Sequence, residues 1–146
     1  MRNEELGGPL QVARTWIAAF NAHDVASIVA LYTAEAELCD AGMKRKRRGR
    51  QEIEDWFVQR FRALPEINYA PADEIVEGER VAITWTVSGY TPRLLGQRWL
   101  ARPFVVDGVS IFSIYAGQIA RQHGYYDHLA VVERALPFLR ILPSRS

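Results

Sequence analysis

Apolar residues recur three and four positions apart through residues 10–64 and at every second position beyond them, so the pattern predicts helices first and sheet afterwards. Ala13, Trp16, Ile17 and Phe20 form one stripe of a first helix over residues 10–20. Asn21-Ala22-His23-Asp24 interrupts that stripe, and Asp24 is placed to cap a second helix with Val25, Ile28, Val29 and Tyr32 on its apolar side. His23, in the break, is expected to face solvent. Residues 36–40 read as a short strand leading into Lys44-Arg45-Lys46-Arg47-Arg48-Gly49-Arg50, expected as a loop. A third helix is predicted over 51–64, with Ile53, Trp56, Phe57, Phe61 and Leu64 inward and Pro65 as its stop.

Past Pro65, β-branched and aromatic residues accumulate and the period drops to two. Residues 67–77 and 80–90 predict a hairpin across Glu77-Gly78-Glu79, and 104–115 with 118–128 a second one turning at Ala116-Gly117. Between the hairpins, 91–102 reads as a loop or extended crossing. A short helical segment is expected over 129–136, ending at Pro137. This order predicts an α+β domain in which a bent antiparallel sheet wraps over N-terminal helices. A sheet closed by helices in this way has a natural cavity. Phe20, Trp56, Phe57, Trp85, Phe112 and Tyr125 are candidate walls for a flat apolar or aromatic substrate, although any single ring serves equally well as core.

The 146 residues suit one domain, with a core over 10–136 and tails at 1–9 and 137–146. Apolar residues at 49% and charged ones at 24% argue against extended disorder. The sequence has no apolar run of the roughly 18 residues that a membrane span needs. The opening MRNEELGG lacks the apolar stretch of a secretory signal, and the single cysteine, Cys39, has no partner for an internal disulfide. A cytoplasmic protein is expected.

The net charge of +1 hides an asymmetry: without the six basic residues of 44–50, 12 Lys and Arg face 17 Asp and Glu. Nucleic-acid surfaces spread basic charge over a face and interleave it with aromatic rings, and 44–50 contains no aromatic residue. Nucleic acid is therefore not an expected partner. The run reads as a solvated loop or as a mouth that attracts anionic substrates. His23, His123 and His128 lack the spacing of a metal site, and no glycine-rich phosphate loop is present, so neither metal nor cofactor is expected.

The stretch ARTWIAAFNAHDVASIVALYTAEAELCD combines an apolar helix, an Asn-Ala-x-Asp break, a second helix ending in Leu-Tyr and a strand ending in an acid. With the closing VDGVSIFSIYAGQIARQHGYYDHL, it resembles the nuclear transport factor 2-like superfamily, in the branch of the SnoaL-like polyketide cyclases and ketosteroid isomerases. The resemblance implies a single SnoaL-like domain with the cone-shaped, cystatin-like α+β roll, and often a homodimer through the open face of the sheet. It implies a cofactor-independent acid–base enzyme acting on a small carbonyl-bearing molecule, or a noncatalytic binder of the same fold.

Residue by residue, the resemblance puts Asp40 at the general base of the isomerases, Trp16 at their oxyanion-hole tyrosine and Ser110 close to their second, protonated acid. Both donors differ in kind from the usual ones, which argues against an ordinary steroid isomerase. The cyclases keep their aspartate on the final strand, where Asp127 is the matching position. No Arg-x-Asp stands where epoxide hydrolases of this fold need one. Alternation along the last strand groups Arg121, His123, Tyr125 and Asp127 on one face and Gln122, Tyr126 and His128 on the other, without deciding which face lines the cavity. Asp40 or Asp127 is thus the candidate base, with His123 as a second group titrating near neutral pH. The competing readings are a strand-end carboxylate tied to loop amides or arginines for Asp40, and a helix cap for Asp127.

Overall fold

The computed structural model describes residues 8–90 and 102–127. Helix α1 spans Pro9–Asn21, α2 Val25–Ala30 and α3 Arg50–Ala63. The strands are β1 Tyr32–Asp40, β2 Arg47–Arg48, β3 Asn68–Glu77, β4 Arg80–Tyr90, β5 Pro103–Tyr115 and β6 Gln118–Tyr126. They form one sheet in the order β2-β1-β6-β5-β4-β3, antiparallel throughout except where β1 lies parallel to β6. This is the α+β architecture the pattern predicts. In that pair β1, the first strand, joins the sheet beside β6, the last described one.

Pro at the first position starts α1, where its missing N–H is one the helix leaves unbonded anyway. The helix buries Val12, Ala13, Trp16, Ile17 and Phe20 against the sheet. Its last residue, Asn21, then acts as a short strand partner: its amide donates to the Tyr69 carbonyl at 2.9 Å and accepts from the Tyr69 N–H at 2.8 Å. Asp24 caps α2 by accepting from the Ser27 N–H at 3.1 Å, as the sequence suggests. His23 is half-buried rather than turned to solvent. It adopts a left-handed backbone (φ 54°), stacks on Phe61 with ring centroids 4.4 Å apart and bonds the Ile67 carbonyl at 2.8 Å through Nε2.

Tyr32 departs from the expected helix. Six residues suffice for α2, the chain turns at Leu31, and Tyr32 begins a strand four residues earlier than the pattern indicates. There its hydroxyl reaches the core while its carbonyl accepts two bonds from Arg50, at 3.0 and 2.8 Å. Part of the basic stretch is also strand, since Arg47 and Arg48 pair with Leu38 and Glu37.

The two hairpins turn where predicted. Ala116 and Gly117 both take positive φ (48° and 79°), the conformation that matches the twist of a two-residue hairpin and that glycine adopts without strain. Strict alternation along β4 sends Val81, Ile83, Trp85 and Val87 to the helices. Register shifts in β1, β3 and β5 let the strands bend around that core. The expected crossing 91–102 up to residue 101, the strand end His128 and the short helical segment 129–136 lie outside the described residues.

Candidate active site

Three strands build the site in one transverse row. Asp40 on β1 stands opposite Gly124 on β6, and Gly124 stands opposite Ser110 on β5. With no side chain at the middle position, the carboxylate and the hydroxyl flank a gap on the helix side of the sheet. Trp16, Phe20, Trp56, Phe57 and Tyr69 wall that gap, and Arg60, Leu38 and Gln122 complete the lining. The cavity measures about 10 Å³, room for roughly one water molecule.

Asp40 is held by one oxygen. Its Oδ1 accepts from the Tyr126 hydroxyl at 2.7 Å and from the Gly42 N–H at 2.9 Å, and lies 3.8 Å from a guanidinium nitrogen of Arg60. Oδ2 borders Gly124, and among the described residues it accepts no hydrogen bond. The side chains of Asp40 and Arg60 expose only 12% and 13% of their surface, so solvent screens their attraction weakly. Arg60 stands beside two rings, with its guanidinium carbon 5.5 Å from the Trp56 centroid and 5.9 Å from that of Tyr126. Burial works against its charge, but the Asp40 carboxylate and the Tyr69 and Tyr126 phenols outweigh burial and hold its pKa above the ordinary value. Burial pushes the Tyr126 phenol up to about 12, against the opposing pull of Arg60, and raises Tyr69 as well. Both phenols are therefore neutral at ordinary pH, and Tyr126 donates to Asp40.

A second chain of bonds runs behind the wall. The Trp16 indole N–H donates to the Tyr32 hydroxyl at 2.8 Å, and that hydroxyl donates to the Gln122 carbonyl oxygen. Because an indole only donates, the phenol must pass its own hydrogen on, which fixes the Gln122 amide with its NH2 group free to face the cavity that the residue lines. Desolvation raises the pKa of Tyr32 well above its ordinary value, with the Trp16 bond opposing. Trp85 donates to the Ser110 oxygen at 2.9 Å, leaving the serine hydrogen to serve the cavity.

Of the residues singled out in the sequence, Asp40, Trp16, Ser110, Phe20, Trp56 and Phe57 meet at the cavity. Trp16 contributes its ring only, since its N–H is committed to Tyr32. Trp85 and Phe112 are fully buried behind the wall, Phe112 edge-on to Trp16 at 5.5 Å. Asp127, His123 and Tyr125 are not at the cavity. Gln122, Gly124 and Tyr126 take the inward face of β6, so the alternate residues point away from the helices. His123 and Tyr125 there stack on each other at 3.9 Å, and Asp127 is exposed.

Sequence reasoning missed Arg60 and Tyr69, and it named Gln122 and Tyr126 only as one of two undecided faces of the last strand. The signal for Arg60 was present, because 53, 56, 57, 60, 61 and 64 form one helical stripe and a charge inside such a stripe is buried with a partner. Among the described residues, no group of His, Cys, Asp and Glu is arranged to hold a metal ion. No described helix is long and apolar enough to cross a membrane.

Fold and site together define an α+β roll with a largely buried carboxylate lining a small, mostly aromatic cavity. Residues 13–122 match the SnoaL-like domain, and the chain belongs to that family. The fold is that of the nuclear transport factor 2-like proteins, whose members include polyketide cyclases and isomerases. A protein of ketosteroid isomerase-like fold from Catenulispora acidiphila, solved with trimethylamine, is 18% identical over 86% of this chain and 92% of its own, with a TM-score of 0.75. TerC co-crystallised with polyporic acid is 19% identical over 87% and 97%, with a TM-score of 0.73. A protein from Shewanella denitrificans assigned as a SnoaL-like polyketide cyclase is 15% identical over 86% and 95%, with a TM-score of 0.76. No curated protein matches the chain.

Proposed function

We propose that the protein is a cofactor-independent acid–base enzyme, a cyclase or isomerase by reaction type, that moves a proton on a small, flat, carbonyl-bearing molecule with Asp40 as the base. The observation that carries this reading is the one-sided hold on Asp40. Tyr126, Gly42 and Arg60 all engage Oδ1, which orients the carboxylate and leaves Oδ2 with its lone pairs toward the gap at Gly124.

In the proposed step Oδ2 takes a proton from the carbon next to the carbonyl, and the electron pair moves to the carbonyl oxygen as an enolate. The Gln122 NH2 group and the Ser110 hydroxyl, both lining the same cavity, donate to that oxygen. The carboxylic acid then returns the proton to another carbon, which isomerises the substrate, or the enolate carbon attacks a second carbonyl, whose π pair moves to its oxygen and takes the proton back from Asp40, and a ring closes. A ring is larger than the closed cavity, so its entry requires the wall to open at the partly exposed Trp56 while Arg60 stays on Asp40. The trimethylamine and polyporic acid bound by two proteins of this fold support a small-molecule ligand.

A noncatalytic binder of the same fold is favoured by one observation, the near-filled cavity of about 10 Å³. Deuterium uptake from heavy water into a panel of enolisable aromatic and polycyclic ketones separates the two. Expected is uptake with the wild type and with Asp127→Asn, and its loss in Asp40→Asn by about 100-fold or more. A wild type that exchanges no ketone, or an Asp40→Asn variant that exchanges as fast, would remove the enzymatic reading.

A further inference from the structure

We infer that the substrate is a planar organic anion, an arene or enone bearing a carboxylate or an equally acidic enol, and that Arg47 receives its charge beside Trp56; this rests on the pocket being a proton-transfer site. The basic stretch 44–50 is not uniformly solvated. Arg48 and Lys46 are paired with Glu37, at 2.6 and 3.5 Å, and Arg121 reaches the same carboxylate at 3.6 Å. Arg45 is 3.3 Å from Glu52, and Arg50 donates to the Tyr32 carbonyl. These four residues of the stretch close the edge of the sheet and hold the start of α3. Their hydrogen bonds keep Glu37 and Glu52 below the usual carboxylate range, Glu37 chiefly through Arg48 and Glu52 chiefly through the Arg48 N–H.

Arg47 is used differently. It donates to the Arg45 carbonyl at 2.6 Å, and its guanidinium carbon lies 5.2 Å from the centroid of the Trp56 ring. Among the described residues no carboxylate stands within ion-pair distance of it. Trp56 belongs to the cavity wall, and Arg60 lies against the same ring. Two guanidiniums thus share one indole at the partly exposed side of the pocket, while Asp40 balances only the inner one. Glu52 acts on Arg47 only from a distance, being held by Arg45 and the Arg48 N–H, so among the described residues the Arg47 guanidinium keeps no ion-pair partner. A guanidinium fork matches a carboxylate in plane and reach, and the aromatic wall of Trp16, Phe20, Phe57 and Tyr69 behind it suits a flat ring, so the site selects a planar anion over a neutral or cationic molecule. An aromatic cage for a cation needs empty space among the rings, and here Arg60 occupies it. The anionic end held at Arg47 leaves the opposite end of the ligand to reach Asp40, keeping like charges apart.

Calorimetric titration with naphthoate and its neutral isostere naphthamide tests this without requiring turnover. The wild type is expected to bind naphthoate about tenfold more tightly than naphthamide, with the preference shrinking between about 0.05 M and about 0.5 M salt. Arg47→Gln should abolish the preference. Arg47→Lys should restore part of it, and Arg48→Gln, which removes the same formal charge from the same stretch, should keep it. Equal affinity for the two probes, binding of neither, or a preference that survives Arg47→Gln would overturn the inference. The two proposals fail separately. Anion preference without Asp40-dependent deuterium uptake would remove the acid–base reading alone, whereas uptake without any anion preference would remove the anion alone.

Discussion

Asp40 and Gly124 are direct partners across the parallel strands β1 and β6, and a methyl group built on Gly124 would lie 3.3 Å from Asp40 Oδ2. The backbone at 124 is not in the left-handed region, so alanine is tolerated there conformationally. Gly124→Ala therefore isolates one effect: it crowds the unbonded oxygen and fills the gap between Asp40 and Ser110. Expected is a melting temperature within a few degrees of the wild type and a deuterium-exchange rate about tenfold lower or less. Full activity in a well-folded Gly124→Ala protein would mean that Oδ2 is not the working atom.

Tyr32 is predicted to matter for stability and for rate together. Replacing it with phenylalanine removes the hydroxyl that joins the Trp16 N–H to the Gln122 carbonyl and leaves both buried without partners. Tyr32→Phe should cost about 2–4 kcal/mol in urea unfolding, since two desolvated polar groups lose their bonds. It should also lower the exchange rate at saturating ketone by about tenfold, because the Gln122 amide is then free to turn. A rate unchanged despite the lost stability would confine the relay to a structural role.

Those residues also mark what the sequence makes legible. The stripe Ala13-Trp16-Ile17-Phe20 and the alternation of β4 are local periodicities, so α1 and the central sheet follow directly from them. Tyr32 is misread because it sits four residues beyond Ile28, at helical spacing, while also opening the alternation of β1; its bond to Trp16, sixteen positions back, decides the matter. Arg60 reads as surface by its charge, although its position is inward, and only the partner Asp40 on another strand makes that burial tolerable. The choice between Gln122-Gly124-Tyr126 and His123-Tyr125-Asp127 is a two-way ambiguity inherent in a period of two. It is resolved by which face meets α1, a tertiary fact that the pattern of a single strand does not carry.

Packing around the Ser110 donor depends on Gly108. Trp85 and Gly108 are cross-strand partners, and the indole ring covers the glycine so closely that an added methyl would fall 2.4 Å from Trp85 Cη2 and 2.5 Å from the Tyr125 carbonyl. Neither neighbour yields easily, one being a fully buried ring and the other backbone. Gly108→Ala is expected to destabilise the protein by about 3 kcal/mol and to displace the indole N–H from Ser110. Urea unfolding measures the first effect. The emission of this tryptophan, compared in a Trp85→Phe background, measures the second. An alanine variant as stable as the wild type would show that the ring does not hold this position.

Alkaline pH should unfold the protein through its buried phenols. Tyr32, Tyr69 and Tyr126 all have pKa values raised by burial, Tyr126 to about 12, whereas in the unfolded chain each returns to about 10. Above pH ~10 the unfolded state therefore releases protons that the folded state keeps, so each phenol's contribution is complete below that pH and is lost as pH rises toward the folded value. Stability is expected to be flat with respect to these groups at neutral pH and to fall between about pH 10 and about pH 12. Tyr126 should account for about 1–2 kcal/mol of that fall once its partial exposure is allowed for. Urea midpoints measured across the range should decline less steeply in Tyr126→Phe than in the wild type. Parallel slopes in the two proteins would mean that Tyr126 titrates in the folded state as it does in the unfolded one, and would remove it from the set of neutral donors that hold Asp40.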